Sequence, residues 1–353
     1  MILKVLLLSP LPPPSGGIAT WTVRYEQYCK EHRIPVTIVN NALIGARKEK
    51  KSFRLSLWDE LRRSMRIIIR LIASIQKENP DIIHINSSCS RFGIFRDCVC
   101  SIIGWMSSVP VVVQCHCNIQ DQIRGKLAEF AFKVMVSMAR HVFVLNRFSA
   151  NYASRYADGR VSVVPNFADE NDLFLRQTVS ASIGHAVFVG HARKEKGTLE
   201  ILKAAEQLPD IRFTFVGPVH EQISEMKKPD NVEMLGAQPH ETVMDLLKKA
   251  DIFLFPSYTE GFANALLEAM AVGLPVIATD VGANLEMLGT EGGIIVPVGD
   301  AAALVAAINK LDNDPAARMK MGTQNTQRVH DEYLLQIVML RLMDQYHRIC
   351  NAE

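Results

Sequence analysis

The stretch PSYTEGFANALLEAMAVGLPVIATD, Pro256 to Asp280, carries two glutamates, Glu260 and Glu268, eight positions apart. The preceding run ADIFLFPS is continuous and apolar, as a buried strand is. Gly273-Leu274-Pro275 stops the helix that follows, and PVIAT opens another strand. The order is therefore strand, loop, helix, strand, with a helix over 262–272. Glu260 stands at the loop and Glu268 two turns inside the helix. Backbone N–H groups at 260–264 are free at a helix start, which suits a phosphate. Glu268 can accept hydrogen bonds from adjacent hydroxyls, as a carboxylate does with a ribose, and Glu260 from the hydroxyls of a second sugar. Two carboxylates bracketing a diphosphate seat describe a nucleotide-sugar. For Glu268 alone, a helix ion pair is the competing use.

Other strand ends carry related chemistry. In FVGHARKEKGTLEIL, a strand and Gly190 lead into a basic loop with Arg193, Lys194 and Lys196, then a helix from Gly197. Fixed cations beside a helix N-terminus make a pyrophosphate seat; a solvated charged loop is the alternative. In SPLPPPSGGIATW, Gly16 and Gly17 precede a helix and let backbone approach an anion. The pattern is neither GxGxxG nor GxxxxGK[ST], so it implies neither a dinucleotide nor ATP. In QCHCNIQ, alternation places Cys115 and Cys117 on one strand face and His116 on the other. No second Cys/His pair stands at zinc-like spacing, so no metal is expected. His116 then serves a ligand by polar contact or is a structural histidine.

The elements that position these residues alternate along the chain. ILKVLLLS, PVTIVN, DIIHIN, PVVVQCH, HVFVLN and VSVVPN are short apolar runs separated by amphipathic segments, including helices over 57–77, 91–107 and 121–139. Continuous apolar strands in βαβ order predict a parallel sheet covered on both faces. The polar stretch FADENDLFLRQTVSASIGH breaks the rhythm as an interdomain linker. Alternation then restarts from AVFVG to GGIIVPV. The expected fold is α/β: two Rossmann-like domains with parallel sheets facing across a cleft. Residues 1–170 form an N-terminal acceptor domain and 171–333 a C-terminal donor domain. The last helix, about 334–353, packs back on the first. In such sheets ligands bind beyond the carboxyl ends of the strands.

The bulk numbers bound the function. The chain has 353 residues, 48% hydrophobic and 22% charged, with net charge +2. That is long enough for two cores and gives no global case for nucleic acid. No apolar run reaches the length of a membrane span, and MILKVLLLSPLPPP reads as a buried first strand rather than a signal peptide. Seven cysteines fit reduced thiols in a cytoplasmic protein. Positive charge gathers in the 47–70 region, where Arg62, Arg63, Arg66 and Arg70 recur at helical spacing beside Ile67, Ile68, Leu71 and Ile75, with Trp58 at the start. This composition fits a helix on an anionic membrane surface. It equally fits a helix whose apolar stripe covers the sheet while its arginines face water.

EGFANALLE resembles the E-x7-E element of glycosyltransferase family 4, the retaining enzymes of GT-B fold, at Glu260 and Glu268. PSYTEGF, EAMAVGLPVIATDVGAN, VVPNFAD at 163–169, RKEKG ahead of a helix, the Gly16-Gly17 pair and His116 are similar to that family's surroundings. The resemblance covers nearly the whole chain and is most specific over 256–282. It implies a hexosyltransferase-type enzyme that moves a sugar from an NDP-sugar, a UDP-sugar by default, with retained configuration and neither metal nor cofactor. The implied acceptor is a glycan or a lipid-linked acceptor, in bacterial surface polysaccharide or glycolipid synthesis. Carried over, Glu268 binds the ribose hydroxyls. Arg193 and Lys196 neutralise the diphosphate, with Gly190, Gly17, Gly16 and the Phe262-Ala263-Asn264 backbone beside it. Glu260 and His116 hold the donor sugar. Two positions depart from the pattern. His191 stands where the family has arginine, so either His191, protonated, or Arg193 meets the diphosphate. PNFAD replaces the family's PNG. A hydrolysing NDP-sugar epimerase of the same fold, or a nucleotide-sugar-binding protein without turnover, are the alternatives. The expected location is cytoplasmic, on the inner membrane face if the basic segment binds lipid.

Overall fold

The computed structural model describes residues 3–13, 16–42 and 57–351. The chain divides into two compact units, Met1–Pro165 with Met339–Glu353, and Asn166–Val338. Each is built on six parallel strands.

The first sheet comprises β1 (Val5–Ser9), β2 (Val36–Asn40), β3 (Ile82–Ser87), β4 (Val111–Cys115), β5 (His141–Val144) and β6 (Val161–Val163), in the order β2-β1-β3-β4-β5-β6. Val5 pairs with Val36 on one side and Ile82 on the other. Every residue of β1, β3 and β4 is buried, so the continuous apolar runs do report helices on both faces. These helices are α1 (Gly17–Glu31), α2 (Leu57–Glu78), α3 (Gly93–Met106), α4 (Ile119–Gln122), α5 (Lys126–Met138) and α6 (Arg147–Ala153). The helix expected over 121–139 is in fact two. Gly125, at φ 88°, turns the chain between them in a conformation glycine tolerates and other residues resist.

The second sheet comprises β7 (His185–Val189), β8 (Arg212–Val216), β9 (Val232–Met234), β10 (Ile252–Phe255), β11 (Val276–Thr279) and β12 (Gly293–Val296), in the order β12-β11-β10-β7-β8-β9. Around it lie α7 (Thr198–Gln207), α8 (Glu221–Ser224), α9 (His240–Lys249), α10 (Asn264–Ala271), α11 (Asn284–Leu288), α12 (Ala301–Asp312) and α13 (Pro315–Arg328), and α14 (Leu335–Asn351) ends the chain's helices. The stretch read as a linker is laced onto this unit. Phe174 N donates to Ala271 O, and the Arg176 guanidinium donates to the carbonyls of Val272, Leu247 and Lys248. The later part of α14 lies in the first unit, where buried Tyr346 meets His84 Nδ1 and Phe143.

α2 has two apolar faces. Ile67 and Leu71 are buried, with Ile68 and Ile75 packed against the same core. The stripe read as a membrane-binding face is thus spent on the sheet, each fully buried side chain contributing about 1.5–3 kcal/mol. A second stripe was not foreseen. Trp58, Leu61, Met65 and Ile69 are each more than half exposed, with Arg62, Arg66 and Arg70 beside them. Residues 43–56, which carry Arg47, Lys48, Lys50, Lys51 and Arg54, lie outside the described residues.

Candidate active site

In the second sheet, β7 and β10 are neighbours whose following chain segments leave in opposite directions, the position at which open parallel sheets bind ligands. Three loops at the carboxyl ends of β7, β10 and β11 are fixed to one another there. Gly197, at φ 73°, brings its backbone so close to Pro256 that a Cβ would come within 2.1 Å of the Pro256 carbonyl oxygen. Tyr258 N donates to Glu195 O at 3.0 Å. Gly282, at φ 57°, lies against Glu260, where a Cβ would come within 2.3 Å of the Glu260 carbonyl oxygen. Ala283 N donates to Gly261 O at 3.1 Å. Two glycines that cannot be substituted without strain thus set the loops bearing Lys196 and Glu260.

The consequence is a short ion pair, Lys196 Nζ to Glu260 Oε1 at 2.6 Å, with 20% and 9% of the side chains exposed. The two residues assigned to diphosphate and donor sugar hold each other. Arg193 lies in the same loop, its Nε 3.9 Å from Glu195 Oε2 and otherwise without a hydrogen-bond partner. His191 is exposed, and burial together with the charges of Arg193, His220 and Lys196 lowers its pKa. A neutral His191 leaves the fixed positive charge to Arg193 and Lys196.

α10 begins at Asn264, two residues later than the sequence pattern predicts, so Glu268 stands just over one turn inside it. Phe262 is buried and its ring meets Tyr333 edge-on at 5.7 Å. Ala263 is the helix N-cap, without a side-chain cap, and Asn264 Oδ1 accepts from Asn166 Nδ2 at 2.9 Å. Glu268 has two neighbours that the sequence did not reveal. His240, the first residue of α9, puts Nδ1 3.7 Å from Glu268 Oε1 and Nε2 3.1 Å from Asp172 Oδ1. Burial raises the Glu268 pKa to about 7, with Asp172 adding to the rise and His240 opposing it. A helix-opening histidine carries no periodic signal, and Asp172 lies in the polar stretch read as linker.

In the first unit, the carboxyl ends of β1, β2 and β3 surround a cavity of about 570 Å³ whose wall includes Gly16, Gly17, Asn41 and Asn86. His116 follows β4 directly. Its Nε2 lies 2.9 Å from Asn86 Oδ1, and its ring meets Trp21 edge-on at 5.3 Å. Burial lowers its pKa to about 3, so the ring is neutral and Nε2–H donates to the amide oxygen. Asn86 Nδ2 in turn donates to Ser9 Oγ at 2.9 Å. β4 ends at Cys115, so strand alternation does not extend to Cys117 as expected. The cysteines among the described residues are all free, and no group there of three His, Cys, Asp or Glu could hold a metal.

The comparisons with known proteins follow the same division. Residues 15–172 match the family described as Glycosyltransferase Family 4, and residues 184–328 that described as Glycosyl transferases group 1. A Bacillus subtilis protein named as a candidate teichuronic acid biosynthesis glycosyltransferase, TuaC, is 28% identical over 249 residues, 67% of this chain and 62% of its own length. An alpha-galactosylglucosyldiacylglycerol synthase of Streptococcus pneumoniae is 26% identical over 260 residues, 67% of this chain and 69% of its own. Among solved structures, the sucrose-phosphate synthase of Thermosynechococcus elongatus superposes with TM-score 0.78 at 19% identity, covering 99% of this chain and 100% of that one. Anabaena HepE, solved in complex with UDP, gives 0.74 at 16%, covering 98% and 100%. The fold is that of these GT-B proteins.

Proposed function

Because the chain belongs to glycosyltransferase family 4, we propose that it moves a sugar from a nucleoside-diphosphate sugar, a UDP-sugar by default, to a glycan or lipid-linked acceptor with retained configuration. The observation that carries this reading is the Lys196–Glu260 pair at 2.6 Å, fixed by Gly197 and Gly282 at the switch point of the sheet. When the glycosidic bond breaks, negative charge grows on the β-phosphate. Preorganised cations aimed at that charge lower the barrier without reorganising. Within the chain Glu260 balances Lys196. With donor bound, sugar hydroxyls occupy Glu260 and the diphosphate takes Lys196 and Arg193. The α10 N-terminus adds its dipole, and Glu268 accepts from the ribose hydroxyls. His116, neutral, keeps its Nε2–H on Asn86 and offers Nδ1 as an acceptor to a sugar hydroxyl.

The names of the relatives, teichuronic acid biosynthesis and a glycosyldiacylglycerol synthase, support an acceptor from surface polysaccharide or glycolipid synthesis. Its place of action is a membrane surface. The supporting surface is the outer stripe of α2, Trp58, Leu61, Met65 and Ile69 with three exposed arginines, and not the stripe buried against the sheet. Among the described residues no helix is long and apolar enough to cross a membrane.

The test is a screen of UDP-, GDP- and ADP-sugars with and without acceptor lipid, following nucleotide release and the anomeric configuration of the product. Acceptor-dependent release with a retained product is expected. Epimerised sugar without acceptor identifies a hydrolysing epimerase instead, and binding without turnover a nucleotide-sugar-binding protein.

A further inference from the structure

His116 stands half-buried just after β4, and an imidazole can carry its proton on either nitrogen. Four hydrogen bonds in the first unit decide which, and the decision starts in the first turns of α1. Thr22 Oγ1 donates to Ile18 O at 2.8 Å, one turn back along the helix. A hydroxyl has one proton to give. The 2.6 Å contact between Ser9 Oγ and Thr22 Oγ1 is therefore a donation from Ser9. Ser9 then has no proton left for Asn86, so Asn86 Nδ2 donates the 2.9 Å bond between them. That turns Asn86 Oδ1 toward His116, where it accepts Nε2–H at 2.9 Å. Every other placement of the protons loses one of the four bonds. Ser9 and Thr22 are fully buried and Asn86 nearly so, and a bond lost there leaves a desolvated group unpaired.

The ring's surroundings hold it in that state. Trp21 of α1 meets it edge-on at 5.3 Å and is itself stacked on Tyr25 at 4.9 Å. Burial alone lowers the His116 pKa to about 3. The titratable groups around it are neutral as well. Burial lowers His84, on β3, to about 3 and raises Tyr25, on α1, well above its ordinary value. The thiols on either side, Cys115 and Cys117, are pushed well up by their bond to Cys89 and then by burial. No charge in this setting favours an imidazolium. With Nε2–H committed to Asn86, Nδ1 keeps its lone pair and can only accept.

We infer that Asn86, Ser9 and Thr22 are positioning residues for the transfer: they relay the constraint of the Ile18 carbonyl to His116 and fix its Nδ1 as the acceptor for a hydroxyl of the donor sugar. This rests on the proposed transfer and on the part given there to His116. None of the three relay residues is a sequence motif, and they come from three elements, β1, α1 and β3. Ile18 follows Gly17 at the start of α1. The helix turn assigned to the diphosphate therefore also sets the histidine assigned to the sugar, and the two ends of one donor are kept in register. A ring nitrogen that can only accept selects a group that can donate, a hydroxyl, at that place on the sugar.

The test uses the full chain and reads the ring nitrogens directly. In nitrogen NMR of the histidine-labelled protein without ligand, His116 should be neutral from pH 6 to pH 8, with Nε2 protonated and Nδ1 bare. Thr22→Val removes the hydroxyl that starts the relay and frees the Ser9 proton for Asn86. His116 should then appear in part with its proton on Nδ1, and kcat should fall at least fivefold while affinity for UDP stays within twofold of wild type. Thr22→Ser restores a hydroxyl and should return both the spectrum and the rate. Asn86→Asp places a carboxylate on Nε2–H, which favours the imidazolium, and an imidazolium cannot accept at Nδ1. The ratio of Asn86→Asp to wild-type kcat should therefore fall at least tenfold from pH 8 to pH 6; taking the ratio cancels the titration of Glu268, common to both. A wild-type His116 with its proton on Nδ1 overturns the proposal, and this measurement stands even where a variant fails to fold. Thr22→Val with unchanged spectrum and rate, or an Asn86→Asp imidazolium that leaves the ratio flat, overturns it too. The expected spectra without sugar transfer from any donor would sink the proposed function and leave the relay in place.

Discussion

At the carboxyl edge of the second sheet, strand ends are locked backbone to backbone, and the key cation already has its partner, Lys196 on Glu260 at 2.6 Å. At the same edge of the first sheet an open cavity is lined by arginines, one with a buried Nε that nothing satisfies. The contrast extends to the surfaces. Exposed large apolar side chains gather on the first unit, on α2 at Trp58, Leu61, Met65 and Ile69 and on α5 at Leu127 and Phe130. Chemistry on a leaving diphosphate is the same for every nucleotide-sugar and rewards rigid preorganisation. An acceptor is read by shape and charge, and an acceptor held in a membrane needs an apolar surface beside it.

The largest expected effect tests the rigid half. Lys196→Ala should lower kcat by about 10²–10³, or roughly 2.7–4 kcal/mol, with a smaller change in donor affinity, because its charge matters most as the leaving group departs. It also leaves Glu260 mostly buried and unpaired, which destabilises the fold. Lys196→Met with Glu260→Gln removes both charges and should recover most of that stability and none of the rate. A single variant that keeps more than a tenth of the wild-type rate would break the assignment.

Glu268 sharpens the comparison by showing that a rigid site has a cost to the fold. Glu268→Ala should weaken donor binding by about 1–3 kcal/mol through lost charge-assisted hydrogen bonds. Its pKa is raised from 4.5 to about 7, so between those values the folded protein holds a proton that the unfolded chain has released. Stability therefore falls as pH rises across that window, by at most about 1.4 kcal/mol per pH unit. The loss is less than that because 24% of the side chain is exposed. Glu268→Gln should be more stable than wild type at pH 8 and equal to it below pH 4.5 in denaturant titrations. Donor affinity should rise with pH through about 7 in the wild type, as the carboxylate forms, and stay flat in Glu268→Gln. A flat wild-type profile would show that the ribose hydroxyls do not use the charged form.

A smaller effect is expected on the surface of the first unit. Replacing Leu61, Met65 and Ile69 together by Ser should reduce co-sedimentation with anionic vesicles severalfold. Thermal stability should change little, since these side chains are exposed. Ile67→Ser and Leu71→Ser, on the buried face, should unfold the unit instead. Reversing Arg62 and Arg66 should weaken vesicle binding more at low salt than at high. Equal vesicle binding by the triple variant and the wild type would return α2 to an ordinary covering helix.

The second unit was more legible in the sequence, and the reason is physical. Glu260, Glu268, Arg193 and Lys196 lie in short loops and a helix adjoining apolar strands, so strand periodicity alone places them at one edge. His240 reaches Glu268 from another element and holds Asp172 on its other ring nitrogen, and no local pattern encodes that approach. In the first unit the alternation gave the strands and the covering helices. It marked one apolar stripe of α2, at Ile67, Ile68, Leu71 and Ile75, and missed the second, at Trp58, Leu61, Met65 and Ile69, which stays exposed. Arg96 carries no pattern of its own, since it is fixed by Asp97, which Ser87 holds in turn.

The smallest expected effect is none: chelation should leave transfer unchanged. A metal at a sugar-nucleotide site supplies positive charge to the departing diphosphate. On the proposed reading Lys196 and Arg193 supply it, and the α10 N-terminus adds to them. The Asp-x-Asp pattern at 312–314, a sequence that elsewhere would invite a cation, is occupied structurally. Asp312 Oδ1 accepts from Ile183 N at 2.5 Å, and Asp314 Oδ1 caps α13 through Ala317 N at 2.8 Å. The two expectations are linked through charge. If Lys196→Ala proves nearly silent, a cation must be doing its work, and EDTA should then abolish transfer and Mn²⁺ or Mg²⁺ restore it. If Lys196→Ala is crippling and EDTA harmless, the diphosphate is neutralised by the chain itself. Assaying both proteins with and without chelator in one experiment decides between them.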